Sequence, residues 1–254
     1  VKFGIADYGV NVWDGGLYDI ELRLEELREI GFDGTERLEA ISPSDALTKA
    51  ARYKRLGMDF ATCRGPSVQT GIEWTAALGK SYVWLTPGEC ERKVDFDVYC
   101  RRANRMAQAC ANYGLQVGLH NHLGQRIENQ QELEDFMQRC PGVSLLLDIG
   151  HLAGAGGDPV AIVKKYHKRL CAVHLKDIVM KDATIGLDKW WERLRFCELG
   201  GGNVGLDIKG VIKALVECGY DGWVHIEHDT HLDEPVRDLA KSYNYLVNAG
   251  FTNR

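Results

Sequence analysis

The chain lacks the marks of several large protein classes. No Pro-, Gly- or Ser-rich linker and no low-complexity stretch divides its 254 residues, so one domain over 1–254 is expected. Basic runs are missing: 31 Lys and Arg are interspersed with 36 Asp and Glu, for a net charge of −5. Nucleic-acid affinity depends on clustered Lys and Arg, so this balance argues against DNA or RNA as a partner. No apolar run approaches the roughly 20 residues that cross a bilayer, which argues against a membrane helix. The opening VKFGIADYGV has neither the charged nor the apolar region of a signal peptide, so a cytoplasmic location is expected. Val rather than Met at position 1 leaves room for a trimmed leader. The eight cysteines (63, 90, 100, 110, 140, 171, 197 and 218) form no CxxC pair and sit in apolar patterns. They read as reduced, packed thiols in a reducing compartment.

What the chain does have is a recurring unit: an amphipathic helix, a glycine that stops it, then an apolar strand. Examples are LEELREIGFDGTERL, AARYKRLGMDFATC, WTAALGKSYVWLT, AQACANYGLQVGLH and LVECGYDGWVHIE. Gly31, Gly57, Gly79, Gly114 and Gly219 stand where a helix end calls for a left-handed residue. The pattern predicts strands near 3–6, 34–38, 58–63, 81–86, 116–120, 143–148, 171–175 and 223–227. Helices are predicted near 18–30, 43–56, 67–78, 95–113, 130–139, 158–168, 207–218 and 233–248. Eight alternating strand–helix pairs predict an α/β fold, a (β/α)8 TIM barrel of eight parallel strands with outer helices. A doubly wound sheet competes, but it needs a glycine-rich phosphate loop after the first strand, and Ala6-Asp7-Tyr8-Gly9 is not one. The long connection over roughly 177–206 would lie at the catalytic mouth as a lid or substrate clamp.

Several apolar runs end in residues that bind metals: VGLHNH, LLLDIGH, CAVHLKD, HIEHD and, more weakly, GTERLE. In a parallel barrel all strand ends open on one face, so His120, Asp148, His174 and Glu227 would converge although far apart in sequence. Two imidazoles and two carboxylates suit one divalent ion. Each residue also has a plainer reading: a lone His near a strand end is often structural, and an Asp after a strand is often the N-cap of the next helix. Four at successive strand ends favour the metal reading. His122 shares a side with His120, and Lys176 with His174. His151 follows Asp148 as the chain turns away, which suits a substrate contact. Glu36 and Glu39 follow the second strand and serve either substrate or structure. Trp13, Trp190 and Trp191 are stacking surfaces for a sugar ring or packing anchors. Gly200-Gly201-Gly202-Asn203 is either a phosphate cradle or a lid hinge. His167 and His231 fall on helical stretches and read as surface residues.

These motifs resemble the xylose-isomerase-like barrel superfamily, which includes sugar epimerases, hydroxypyruvate isomerase, inosose dehydratase, 3-dehydroshikimate dehydratase and endonuclease IV. The resemblance covers nearly the whole chain and is strongest over Val117–Glu227. It implies a divalent ion (Mn, Co, Mg or Zn) held after the fifth to eighth strands by Glu, Asp, His and Glu. Asp148, His174 and Glu227 match the last three positions, His151 matches the DxGH histidine near the substrate, and Lys176-Asp177 matches the HxKD motif. The departure is His120, where epimerases carry Glu. The string HNH, together with GGDPVAIVKKYHKRLCAVHLKD and GYDGWVHIEHD, is similar to the inosose dehydratase branch.

The expected function is therefore that of a divalent-metal-dependent sugar isomerase or epimerase. It would deprotonate the carbon beside the carbonyl of a keto-sugar or keto-polyol through a metal-bound enediolate. Glu227 is the expected base, with His151 and Lys176 acting on substrate oxygens, and His122, Trp13 and Glu36 contacting substrate. The alternative is a dehydratase of the inosose dehydratase type. A metal-binding protein without catalysis is the remaining class. A homo-oligomer is compatible with such a chain, but the sequence does not specify one.

Overall fold

A computed structural model describes residues 1–6, 20–86, 88, 90–229 and 234–251. Strands β1 (Lys2–Ile5), β2 (Gly34–Glu39), β3 (Asp59–Arg64), β4 (Tyr82–Trp84), β5 (Gln116–His120), β6 (Ser144–Asp148), β7 (Leu170–Leu175) and β10 (Trp223–Ile226) form one sheet of eight. Its order is β3-β2-β1-β10-β7-β6-β5-β4, and every neighbouring pair is parallel. This is the (β/α)8 barrel the sequence predicts, with one irregularity: β3 and β4 stand side by side at the seam without a ladder joining them.

Helices α1 (Ile20–Ile30), α2 (Pro43–Arg55), α3 (Val68–Ala77), α4 (Phe96–Ala111), α5 (Gln130–Arg139), α6 (Ile149–Gly154), α7 (Pro159–Tyr166), α8 (Trp190–Arg193), α9 (Ile208–Glu217) and α10 (Pro235–Asn248) complete the chain. Their starts follow from sequence chemistry. Ser42, Ser67, Asp95, Asn129, Asp158 and Asp207 each cap a helix by accepting a backbone N–H. The five helix-ending glycines all have positive φ, from 67° at Gly219 to 120° at Gly31.

Two features of the long connection after β7 were not predicted. It carries an antiparallel hairpin, β8 (Asp177–Met180) with β9 (Leu194–Cys197), and the short α8 between its strands. Ile178, Leu194 and Phe196 bury a small apolar cluster with Leu123, so this connection is packed over the mouth rather than a loose lid. Inside the barrel, Ala61, Tyr82, Leu146, Ala172 and Trp223 fill the layer beneath the strand ends. Chemistry is thus confined to the layer above. All eight cysteines are unpaired, as expected. No described helix is long and apolar enough to cross a membrane.

Candidate metal centre

Strand register assembles the centre. Asp148 on β6 lies beside His174 on β7, which lies beside His225 on β10. Partners in register share a face, and two residues beyond His225 that face presents Glu227. His120 closes the group from the end of β5. Donor atoms of His120, Asp148, His174 and Glu227 all lie within 4.8 Å of one another. Asp148 and His174 are fully buried, and Glu227 nearly so.

Asp148 shows that the plain and functional readings hold together. Its Oδ1 accepts the His151 N–H at 2.8 Å and caps α6. Its Oδ2 lies 3.4 Å from His120 Nε2 and 3.7 Å from His174 Nδ1. Asn121, the middle residue of HNH, fixes this carboxylate's backbone: its amide accepts from Asp148 N and donates to Asp148 O, both at 2.9 Å.

His174 is gripped at both ring nitrogens. Nδ1 lies 2.9 Å from Glu227 Oε2, and Nε2 lies 3.0 Å from Glu36 Oε1. The same Glu36 oxygen accepts from Tyr82 Oη at 3.1 Å and Trp84 Nε1 at 3.0 Å. Burial opposes charge on the His174 ring, but Glu36 and Glu227 outweigh it and hold the imidazole well above its usual pKa. Glu36, for which substrate and structural roles were both expected, is wholly buried against His174, where a carboxylate can orient that ring. His225 is also buried and stacked on Trp223 at 5.2 Å, and burial lowers its pKa to about 4.

Lys176 carries most of the neutralising charge. Its buried Nζ lies 2.9 Å from Asp148 Oδ2, 2.7 Å from Glu227 Oε2 and 2.7 Å from Asp229 Oδ2. Burial works against the ammonium, yet Asp148, Asp229 and Glu227 raise its pKa. Asp148 and Glu227 are themselves held well below the carboxylate range: burial raises them, and Lys176 with the neighbouring imidazoles overrides it. Gly150 makes this possible, since a Cβ there would come within 2.2 Å of Lys176 Cγ. Sequence reasoning assigned no role to Asp229, although it ends the HIEHD segment.

His122 and His151 lie beside this cluster with rings 3.7 Å apart. His151 Nδ1 accepts from Leu123 N at 3.3 Å, which places its proton on Nε2. That atom lies 3.3 Å from Asp229 Oδ2, poorly aligned for a hydrogen bond. His122 Nδ1 donates to Leu123 O at 2.6 Å. Burial and the neighbouring His151, His120 and Lys176 lower its pKa to about 3, so it is neutral at physiological pH. Trp190 sets its ring edge-on to both imidazoles at 5.8 Å, whereas Trp191 is exposed. Trp13 and His231 lie outside the described residues.

Of the two readings of the glycine run, the structure disfavours the phosphate cradle. Gly200 and Gly202 do not cradle a phosphate: their N–H groups donate to Asp177 Oδ2 at 3.0 and 3.2 Å. The protein's own carboxylate fills the role an external anion would take.

A family model described as xylose isomerase-like TIM barrel matches residues 66–248. The chain belongs to the xylose isomerase-like TIM-barrel family. An inosose dehydratase from Clostridium botulinum (strain Alaska E43 / Type E3) is 30% identical over 97% of this chain and 96% of its own length. Among solved structures, an L-ribulose 3-epimerase shares the fold with a TM-score of 0.73 at 16% identity, over 99% of this chain and 94% of its own. An IOLI protein described with a bound zinc atom matches at TM-score 0.70 and 15% identity over the whole of both chains. The relatives are enzymes, and so is this member of the family. Its His120, Asp148, His174 and Glu227 form a site fit for one divalent ion: two imidazole and two carboxylate donors, convergent and screened from water.

Proposed function

We propose that this family member abstracts a proton from the carbon beside the carbonyl of a keto-polyol or keto-sugar and then expels water as a hydro-lyase. The observation that carries this reading is His120. Epimerisation by two faces needs a base on each side of the substrate carbon. Here the fifth-strand donor is an imidazole whose pKa burial lowers, against the pull of Asp148, and whose Nε2 faces the centre, where a bound ion would take its lone pair. One carboxylate base, Glu227, remains beside a lysine held in its acid form.

When bound, the ion supplies Lewis-acid polarisation of the substrate carbonyl. Glu227 engages Lys176 and His174 through Oε2. A carboxylate held by one oxygen can take a C–H proton on the other. The C–H electron pair becomes the new double bond, the C–O bond to the neighbouring hydroxyl breaks, and that hydroxyl leaves as water with a proton from Lys176. His122 accepts from a substrate hydroxyl at Nε2, and His151 donates from its Nε2. Both imidazoles thereby hold the leaving group in line. The identity to an inosose dehydratase over nearly the whole chain supports this outcome. Isomerisation and epimerisation share the first step and differ only in where the proton returns.

The test is to incubate the Mn²⁺-loaded protein in deuterated water with a keto-inositol and a panel of ketoses. Ultraviolet absorption of an enone, with one water lost, is the expected result. Deuterium wash-in with epimers or carbonyl-shifted isomers and no enone would establish the isomerase or epimerase reading instead. No exchange with any substrate would reject both.

A further inference from the structure

The His174 ring stands between two groups of donors. Its Nδ1 faces Asp148 and Glu227, and its Nε2 faces Glu36 on β2 at 3.0 Å. His225, the register partner of His174 on β10, places its Nδ1 3.9 Å from the same Glu36 oxygen. Donor atoms of Glu36, His174 and His225 all lie within 4.8 Å of one another, and all three residues are fully buried. This group is short of partners. Glu36 Oε2 and both ring nitrogens of His225 have no hydrogen-bond partner among the described residues. Buried polar groups are nearly always satisfied, so three such atoms at one place call for a ligand. The His225 ring is also pinned. It stacks on Trp223 at an interplanar angle of 9°, and β1 approaches so closely that a Cβ at Gly4 would come within 2.7 Å of it.

We propose that Glu36, His174 and His225 form a second, weaker site for a divalent ion such as Zn²⁺. One carboxylate and two imidazoles are a donor set that such ions accept. Glu36 binds through Oε2, while its Oε1 keeps the Tyr82 and Trp84 donors that fix the carboxylate. His225, held neutral by burial, has a ring lone pair to give. With this inner site alone filled, His174 gives its Nε2 lone pair to the ion and keeps a proton on Nδ1 toward Glu227 Oε2. With both sites filled, the ring has released both protons to solvent and bridges the two ions as an imidazolate. Repulsion between the ions, and the charge of Arg37 that bears on His225, make the inner site the weaker one.

The test titrates the chelator-stripped chain with Zn²⁺ by calorimetry and counts bound metal by elemental analysis. Two ions per chain are expected, the second bound about tenfold or more weakly than the first. His225→Ala should bind one ion at the unchanged higher affinity, and Asp148→Ala one ion at the lower affinity. A single ion in the unaltered chain overturns the proposal, as does a second ion that persists in His225→Ala. Should His225→Ala fail to fold, ¹⁵N NMR of the unaltered protein with labelled histidines decides. The second equivalent of Zn²⁺ should shift the ring nitrogens of His225 together with Nε2 of His174. A His225 signal that stays in place overturns the proposal, whether or not the partly exposed His167 shifts through surface binding. Neither arm requires turnover, so the inner site and the hydro-lyase reading fail separately.

Discussion

The mouth of this barrel has two unlike arcs. From β5 through β6 and β7 to β10 the strands are laddered without a break, and this arc carries all four convergent donors with Lys176 between them. From β2 to β4 the ladder ends at β3, and the arc carries Glu36, Arg37, Trp84 and a cavity at the seam. Metal ligation depends on register, because a one-residue slip turns a donor to the opposite face. Continuous backbone pairing enforces that register where the ion belongs. The open arc supports the ligands from behind, through Glu36 and Trp84, and leaves room in front.

If this division is right, the largest effects come from the laddered arc. Asp148→Ala or His174→Ala should abolish tight binding of a divalent ion, because each leaves buried charges uncompensated. His151→Ala, beside the donors but not among them, should retain the ion and lose turnover. Elemental analysis and calorimetry with Mn²⁺ and Zn²⁺ check this. Loss of the ion in His151→Ala as complete as in Asp148→Ala would place that imidazole among the ligands. Next is Glu227→Gln, which keeps the shape and one coordinating oxygen but cannot take a proton. Both turnover and solvent deuterium exchange should fall about 10²–10⁴-fold while a weakened ion site persists. Near-normal exchange would move the base to another residue.

Glu36 tests how far the open arc supports the other. Glu36→Gln keeps the volume but removes the charge that faces His174 Nε2, and ion affinity should drop about 10–100-fold. The pH dependence carries a second signature. His174 is held protonated above its usual range in the ion-free protein, so ion binding must displace that proton. Affinity should therefore rise with pH through neutrality, by up to about tenfold per unit for one proton released. In Glu36→Gln one of the carboxylates that raises the ring is gone, so the rise should level off at a lower pH. Titrations with Zn²⁺ at several pH values check both; an unchanged profile would reduce Glu36 to packing.

The same contrast explains what the sequence could convey. Buried parallel strands are nearly continuous apolar runs, so VGLH, LLLD, AVHL and WVHIE announced both the strands and the ligands at their ends. Glu36 sits in GTERLE, whose mixed charges look like a solvated edge. Its contact with His174 bridges 138 positions and exists only once the barrel closes. The hairpin over 177–197 was unreadable because two four-residue strands, DIVM and LRFC, are too short to show a period. The glycine run stayed open between cradle and hinge for a related reason: the carboxylate its N–H groups bind is a side chain 23 residues upstream.

The smallest predicted effect concerns how the seam is held shut from below. Where no ladder joins β3 to β4, Lys80, just before β4, forms an ion pair with Asp59 at the start of β3, and Lys2 of β1 joins it at 2.7 Å. Lys80 is mostly buried, at 17% exposure, so the pair is better shielded than an exposed one. Burial raises the Asp59 pKa, but Lys2, Lys80 and the Phe60 N–H together bring it below the ordinary value. A depressed carboxylate stabilises the folded state above its unfolded pKa, and this contribution is lost as pH falls through the folded one. Lys80→Met should thus cost about 1 kcal/mol at pH 7, or roughly 2–4 °C in Tm, and less below about pH 4. Lys165→Met, which removes an exposed pair with Glu134 on the laddered side, should cost much less at any pH. Equal losses for the two variants in thermal melts would mean that the seam needs no side-chain clamp, and that the two arcs differ in hydrogen bonding without differing in cohesion.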